Sequence, residues 1–240
     1  MSDTAIWFIA VERPGLRAEW DWPTLGAPDP QDLLPTRSPS SGDFSRHIPV
    51  SAYSMTTNTH HELESGLEHD LFKDLDRRRG VVHLVAQPVV LHFPGTHPGR
   101  APRHTPDLLS LHADGSVTVW DARPPDRHDE LFEHKSKLTA AACRDVGWTY
   151  EVFSGHRPAT RMNLLWLSGF KRSEPWHSSW SGELCELLSR ESRPLGAVID
   201  NDDGTGELIS TMWHLIWTGA IACDLERQIA GSTALTWNGR

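Results

Sequence analysis

Cysteine is scarce in this chain of 240 residues: Cys143, Cys185 and Cys223 are the only three, far apart and without paired spacing. An odd, scattered count argues against a disulfide framework and a thiolate metal site, and fits a reducing cytosol. Long apolar runs are missing as well. The stretch Ala5 to Val11 follows Asp3 instead of a basic segment and is too short for a signal peptide or a membrane span. A soluble, unprocessed, cytoplasmic chain with no membrane partner is expected. Basic residues are outnumbered, 23 against 32 acidic, and a net charge of −9 opposes indiscriminate binding to a polyanion.

What is present is an ordinary globular balance, 38% hydrophobic and 23% charged, which excludes collagen, coiled coil and wholesale disorder. The length allows one large domain or two small ones. Charge is uneven along it: −3 over residues 1–50, −1 over 51–100, +1 over 101–172 and −6 from Ser173 onward. Nucleic-acid contacts therefore belong to the middle of the chain, and the acidic tail is better suited to meeting a protein.

Seven of the seventeen prolines precede residue 50, and Pro23 to Pro39 lacks apolar periodicity, so residues 1–58 read as a mostly irregular arm packed on the next domain. From His60, Leu63, Leu67, Leu71, Phe72 and Leu75 follow helical spacing up to the stop signal Arg77 to Gly80. The run Val81 to Phe93 is β-branched and broken by Pro88, which predicts strand, edge or bulge, strand. Thr105 to Leu111 and Val117 to Arg123 flank Asp114-Gly115, a hairpin signal. A helix over Asp129 to Val146, a strand over Trp148 to Phe153 and a helix over Thr160 to Phe170 follow. Residues 59–172 thus predict an α/β domain, a mixed sheet flanked by helices. In 173–240, helices over Gly182 to Ser192, Pro194 to Asp200 and Glu207 to Thr218 precede the strand pair IACDLE and STALTW, the grammar of a winged-helix domain.

Carboxylates fall at unexpected places in this pattern. At roughly 100° per residue, Glu68 lies inside the apolar arc of the first helix, and Glu64 competes for the same stripe one turn earlier. Asp107 follows Pro106 and opens an apolar run, and Asp121-Ala122-Arg123 puts an acid and a base on one face of the next strand. Two carboxylates joined by a hairpin, with a third from a helix, can hold one or two hard divalent cations such as Mg²⁺ through oxygen.

The order Glu68, Pro106-Asp107, Asp121-Ala122-Arg123 is similar to that of the PD-(D/E)xK nucleases. The blocks SGLEHDLFKDLDRRRGVVHLVAQPVVL, HTPDLL, VWDARP and GWTYEVF, with PSSGDFSRHIPVSAYS before them, resemble the catalytic domain of TnsA-like endonucleases, subunits of heteromeric cut-and-paste transposases. The resemblance covers about residues 38–172, and the tail resembles the family's winged-helix domain more loosely. It implies a restriction-endonuclease-like fold and a Mg²⁺-dependent DNA endonuclease, with Mn²⁺ able to substitute. Glu68, Asp107 and Asp121 are implied as metal ligands, and Gln87 as an outer-shell residue. The implied task is hydrolysis of the non-transferred strand at the 5′ ends of the transposon. Transposon-end DNA, a DDE-type transposase and an AAA+ regulator are the implied partners.

The motif lysine is replaced by Arg123, which stays charged and can stabilise phosphate but cannot act as base. Lys135 and Lys137 are candidates for the missing ammonium, and loss of cleavage with survival as an adaptor between transposase and regulator is the alternative function. Fourteen histidines come without zinc-ligand spacing, and His104 is placed near the pocket by the Pro-Asp that follows it. Trp166, Trp213 and Trp217 fall on apolar helical stripes and are expected in the core, and the Lys- and Arg-free segment Glu207 to Thr218 is expected to dock protein. One parity problem remains: a two-residue turn at Asp114-Gly115 sets Asp107 opposite Ala122 and away from Asp121. Shared binding requires a three-residue loop or a bulge, and a bulge or twist at Pro106-Asp107 is expected.

Overall fold

A computed structural model describes residues 5–10, 17–37, 49–93 and 103–239. The chain divides into two compact units, Met1–Asp76 with Gly80–Gly155, and Arg77–Arg79 with His156–Arg240. The class is mixed α/β, and among the described residues no helix is long and apolar enough to cross a membrane.

In the first unit the elements run β1 (Ala5–Ala10), β2 (Arg17–Asp21), α1 (Trp22–Leu25), β3 (Leu33–Leu34), β4 (Val50–Ser54), β5 (Thr59–Leu63), α2 (Gly66–Asp76), β6 (Val81–Ala86) and β7 (Val89–His92). They continue with β8 (Arg103–His104), β9 (Leu108–His112), β10 (Val117–Ala122), α3 (Glu130–Asp145) and β11 (Thr149–Phe153). Among the described residues the arm is not mainly irregular, because β1 pairs antiparallel with β2, β3 and β7 and so supplies strands to a sheet ordered β2-β1-β7-β8. Its proline-rich part is anchored by Trp22, whose indole N–H donates to the Ala142 carbonyl at 2.5 Å and whose ring meets Trp148 edge-on at 5.0 Å. His60 and Leu63, assigned by spacing to the start of the first helix, form β5 instead, and the helix begins at Gly66.

The sheet that carries the candidate site is β11-β10-β9-β6, antiparallel except for the β10–β11 pair, whose parallel register needs the crossover through α3. Strand alternation divides its two faces. Val117 and Val119 pack with Ala142, Cys143 and Tyr150 on the α3 face, whereas Trp120 and Ala122 pack with Leu71 and Phe72 of α2 on the other. Pro88 marks a change of sheet, since β6 and β7 belong to different ones, and Gln87 between them has φ +43°.

The second unit contains α4 (Pro158–Leu167), α5 (His177–Ser189), β12 (Arg193–Pro194), α6 (Leu195–Ile199), α7 (Glu207–Trp217), β13 (Ile221–Ala222) and β14 (Ala234–Trp237). Its small antiparallel sheet is ordered β12-β14-β13. The core gathers Leu167 of α4 with Leu184, Leu188, Val198, Met212, Ile216, Trp217 and Leu235. By packing, α4 belongs to this unit, although the sequence reading places residues 158–167 in the domain before it. Trp217 is buried as expected and Trp213 partly so, but Trp166 is 59% exposed and is not a core residue. The apolar stripe of α7, expected to dock protein, is spent on this core: Leu208, Met212, Leu215, Ile216 and Trp217 are all buried.

Candidate active site

The β9–β10 hairpin sets the site. Its ladder runs Val117↔Leu111, Thr118↔Ser110, Val119↔Leu109 and Trp120↔Leu108 without a register shift. Ala113, Asp114 and Gly115 form a three-residue loop, with Gly115 at φ +83° and the His112 amide donating to the Ser116 carbonyl. Asp114 Oδ1 accepts from both the amide and the hydroxyl of Ser116 and holds the turn. One further step of this register would set Asp107 opposite Asp121, but the pairing ends at Trp120–Leu108 and the Asp107 amide donates to the Trp120 carbonyl instead. The three-residue loop is one of the two devices that shared binding requires, and the paired strands of this sheet shift register between Val81 and His83. Asp107 still departs from a plain ladder: it sits in a bend, its amide donates to the Trp120 carbonyl, and its Oδ2 accepts from the Ala122 amide at 2.7 Å.

Glu68 is 4% exposed, so the helix carboxylate does face inward. Its Oε2 accepts from the Glu64 amide at 2.8 Å and its Oε1 from the Ser65 hydroxyl at 3.0 Å, a local cap made possible by a Glu three residues after Ser65. Burial raises its pKa above the ordinary carboxyl value, against these hydrogen bonds. Asp107 is raised well above its ordinary value, first by burial and then by the charges of Asp121 and Glu68. Asp121 is 3% exposed, and its Oδ2 takes two partners, His104 Nε2 at 2.7 Å and the Tyr150 hydroxyl at 2.5 Å. The Tyr150 hydroxyl oxygen also accepts from the Ser136 hydroxyl at 3.1 Å, which ties α3 to the site.

Glu68, His104, Asp107 and Asp121 line one cavity of about 520 Å³ together with Arg123, Arg127 and Lys135. Glu64, the competitor on the same stripe, lines it too, although an ion pair of 2.9 Å with Arg37 occupies it; Glu62 is exposed. Lys137 is exposed and absent from the lining. Arg123 is held at the side of the cavity: Nε donates to the Arg127 carbonyl at 2.9 Å, Nη2 is 3.7 Å from Asp129 Oδ2, and the guanidinium lies 5.2 Å from the Phe132 ring centre. Gln87 approaches Glu68 Oε2 at 3.5 Å, and its own Oε1 is buried without a hydrogen-bond partner among the described residues.

Compared with known proteins, the chain matches no family model and no curated sequence. The site's chemistry has to be judged on its own atoms.

In kind, the donors fit a hard divalent cation: they are all oxygen, crowded enough to raise the Asp107 pKa, and accompanied by the unpartnered amide oxygen of Gln87. In arrangement they are incomplete. Among the described residues no three Asp, Glu, His or Cys side chains are grouped as ligands of one ion. The alternation of β10 gives a physical reason: Asp121 leaves on the α3 face with Val117 and Val119, while Glu68 arrives with α2 from the other. Asp107, at the strand end, feels both charges.

Tyr150 and Ser136 were missed by sequence reasoning. The signal was available, since Tyr150 is one of only two tyrosines and pairs in register with Val119, two residues before Asp121 and on its face.

Proposed function

We propose that this chain is a metal-dependent DNA endonuclease subunit of a heteromeric cut-and-paste transposase, hydrolysing the non-transferred strand at the 5′ ends of the element. The supporting observation is a single cavity lined both by Glu68, Asp107 and Asp121 and by Arg123, Arg127 and Lys135. Cationic groups seat and neutralise a phosphodiester, and carboxylates recruit a cation beside it. Asp107 and Asp121 would hold Mg²⁺ or Mn²⁺, with Glu68 and Gln87 as further oxygen donors. Once bound there, such an ion polarises a phosphoryl oxygen and lowers the pKa of water. His104 and Tyr150 hold one Asp121 oxygen and so orient the other. Arg123 remains charged and stabilises phosphate without taking a proton.

The fold reading behind this function is restriction-endonuclease-like for the first unit, supported by the mixed sheet β11-β10-β9-β6 with helices on both faces. A winged helix for the second is supported by the order helix, strand, helix, helix, strand, strand from His177 to Trp237. Partners on this reading are transposon-end DNA, a DDE-type transposase and an AAA+ regulator, in the cytoplasm.

A second reading, a nuclease-fold adaptor with impaired cleavage, is favoured by the tethering of Arg123 to Arg127 and Asp129 and by the ungrouped ligands. Nicking of end DNA in Mg²⁺ or Mn²⁺, with and without the transposase, separates the two. Cuts at the 5′ ends that vanish in Asp107→Ala support the endonuclease. Absence of cutting in an assembly that still binds the ends selects the adaptor.

A further inference from the structure

Helix α4 is apolar on two sides. Asn163, Leu164 and Leu167 are buried, yet Met162, Leu165 and Trp166 are 58%, 48% and 59% exposed. Positions 162, 165, 166 and 169 share one flank at helical spacing. Together with Phe170 they line an open groove of about 430 Å³. Three rings brace its wall: Trp166 and Phe170 at 5.8 Å, Phe170 and Trp213 at 6.0 Å, Trp166 and Trp213 edge-on at 6.1 Å. His214 Nδ1 fixes the Phe170 carbonyl at 2.8 Å. The groove is thus preformed, and a contiguous exposed apolar patch of this kind marks an interaction site.

Charge identifies the occupant. Residues 156–172 carry Arg157, Arg161, Lys171 and Arg172 and not one Asp or Glu, whereas the stretch from Ser173 onward is strongly acidic. Arg161 lies on the exposed flank beside Met162, and Lys171 and Arg172 follow Phe170 directly. A basic rim around an apolar groove complements a helix with an apolar stripe and acidic flanks. A second copy meeting the groove symmetrically would set like charges against one another.

We propose that the groove formed by α4 and residues 168–170 docks an acidic amphipathic helix of a partner protein. Its apolar side chains enter between Met162 and Phe170, and its carboxylates meet Arg161, Lys171 and Arg172. This surface is independent of the cavity containing Asp107 and stands whether or not the chain cuts DNA.

The test uses the full chain and two labelled helical peptides with the same Leu and Trp stripe, one with Glu and one with Lys on the polar face. Fluorescence anisotropy should show the Glu peptide binding at least about tenfold more tightly, with affinity falling as salt rises. Leu165→Glu should abolish binding. Gly169→Leu should do the same by filling the groove, and a Cβ at Gly169 meets nothing within 4 Å, so melting is expected to be unchanged. The proposal is overturned by equal affinity for the two peptides, by no binding of the Glu peptide, or by binding indifferent to both substitutions. Self-association of the chain that Leu165→Glu abolishes, or single-stranded DNA displacing the peptide, would equally assign the groove to another occupant.

Discussion

Asp107 lies beside Asp121 at one end of the β9–β10 hairpin: its Oδ2 accepts from the Ala122 amide at 2.7 Å, and the Asp121 charge helps to raise its pKa. The relationship costs stability when no cation is present. A half-buried Asp107 carboxyl beside the buried Asp121 and Glu68 is costly to ionise, and it responds by keeping its proton above the ordinary value of 3.8.

A raised acid pKa has a definite sign in stability. Below 3.8 the folded and unfolded chains both hold the proton and there is no penalty; as pH rises from there through the higher folded value, the unfolded chain releases it first and folding is weakened. Cation-free protein should therefore melt lower at pH 8 than at pH 5. Asp107→Asn, whose amide oxygen still accepts from Ala122, should flatten that dependence. It should also stabilise the protein at pH 8, where the folded parent has to hold the Asp107 charge. Calorimetry in chelator checks this, and an unchanged pH profile in the variant would remove Asp107 as its source.

Tyr150 and His104 share Asp121 Oδ2. Tyr150→Phe removes the shorter of the two hydrogen bonds and the link to Ser136, and should lower stability by about 1–2 kcal/mol. If the phenol positions Asp121 for the proposed ion, the Mg²⁺-induced rise in melting temperature should shrink as well. Divalent-dependent nicking should then fall about tenfold, the rate equivalent of about 1.4 kcal/mol. A full Mg²⁺-induced rise in the variant would leave Tyr150 a purely structural role.

Much of this arrangement was legible in the chain's grammar. The Asp-Gly signal located the hairpin, the apolar arc turned Glu68 inward, and the run with Pro88 foretold two strands with a break. What sequence could not supply was parity and partnership. Loop length, two or three residues, decides which residues face each other, and nothing local to Asp114-Gly115 fixes it. Trp166 misled for a related reason: helical spacing marks an apolar stripe but not whether a neighbour covers it. Likewise β1 and β2 lie among prolines and glycine, and only β1 reaches the rest of the sheet, through long-range pairing with β7.

Arg123 yields a graded expectation. Its guanidinium is committed to the Arg127 carbonyl and to the Phe132 ring, so a shorter reach and a freer ammonium should help if charge at the phosphate is what the position supplies. Arg123→Lys should match or exceed the parent in divalent-dependent nicking, and Arg123→Ala should fall below it. Equal rates in parent and Arg123→Ala would show that the arginine has no part in cleavage.

The last expectation concerns where the second unit starts. Asn163 of α4 is 6% exposed and its amide donates to the carbonyls of Leu225 at 3.0 Å and Arg227 at 2.7 Å, while its Oδ1 accepts from the Ile229 amide at 3.4 Å. It thereby satisfies the backbone of the segment between β13 and β14, which has few ladder partners of its own. Leu167, fully buried, adds the apolar part of the same attachment. Asn163→Ala leaves two carbonyls and an amide unpaired and should cost about 2–3 kcal/mol. A fragment of residues 156–240 should accordingly melt in one cooperative transition, whereas a fragment of residues 173–240, lacking α4, should not. Two fragments with the same transition temperature would show that the unit is complete without α4, and would place its start at Ser173 after all.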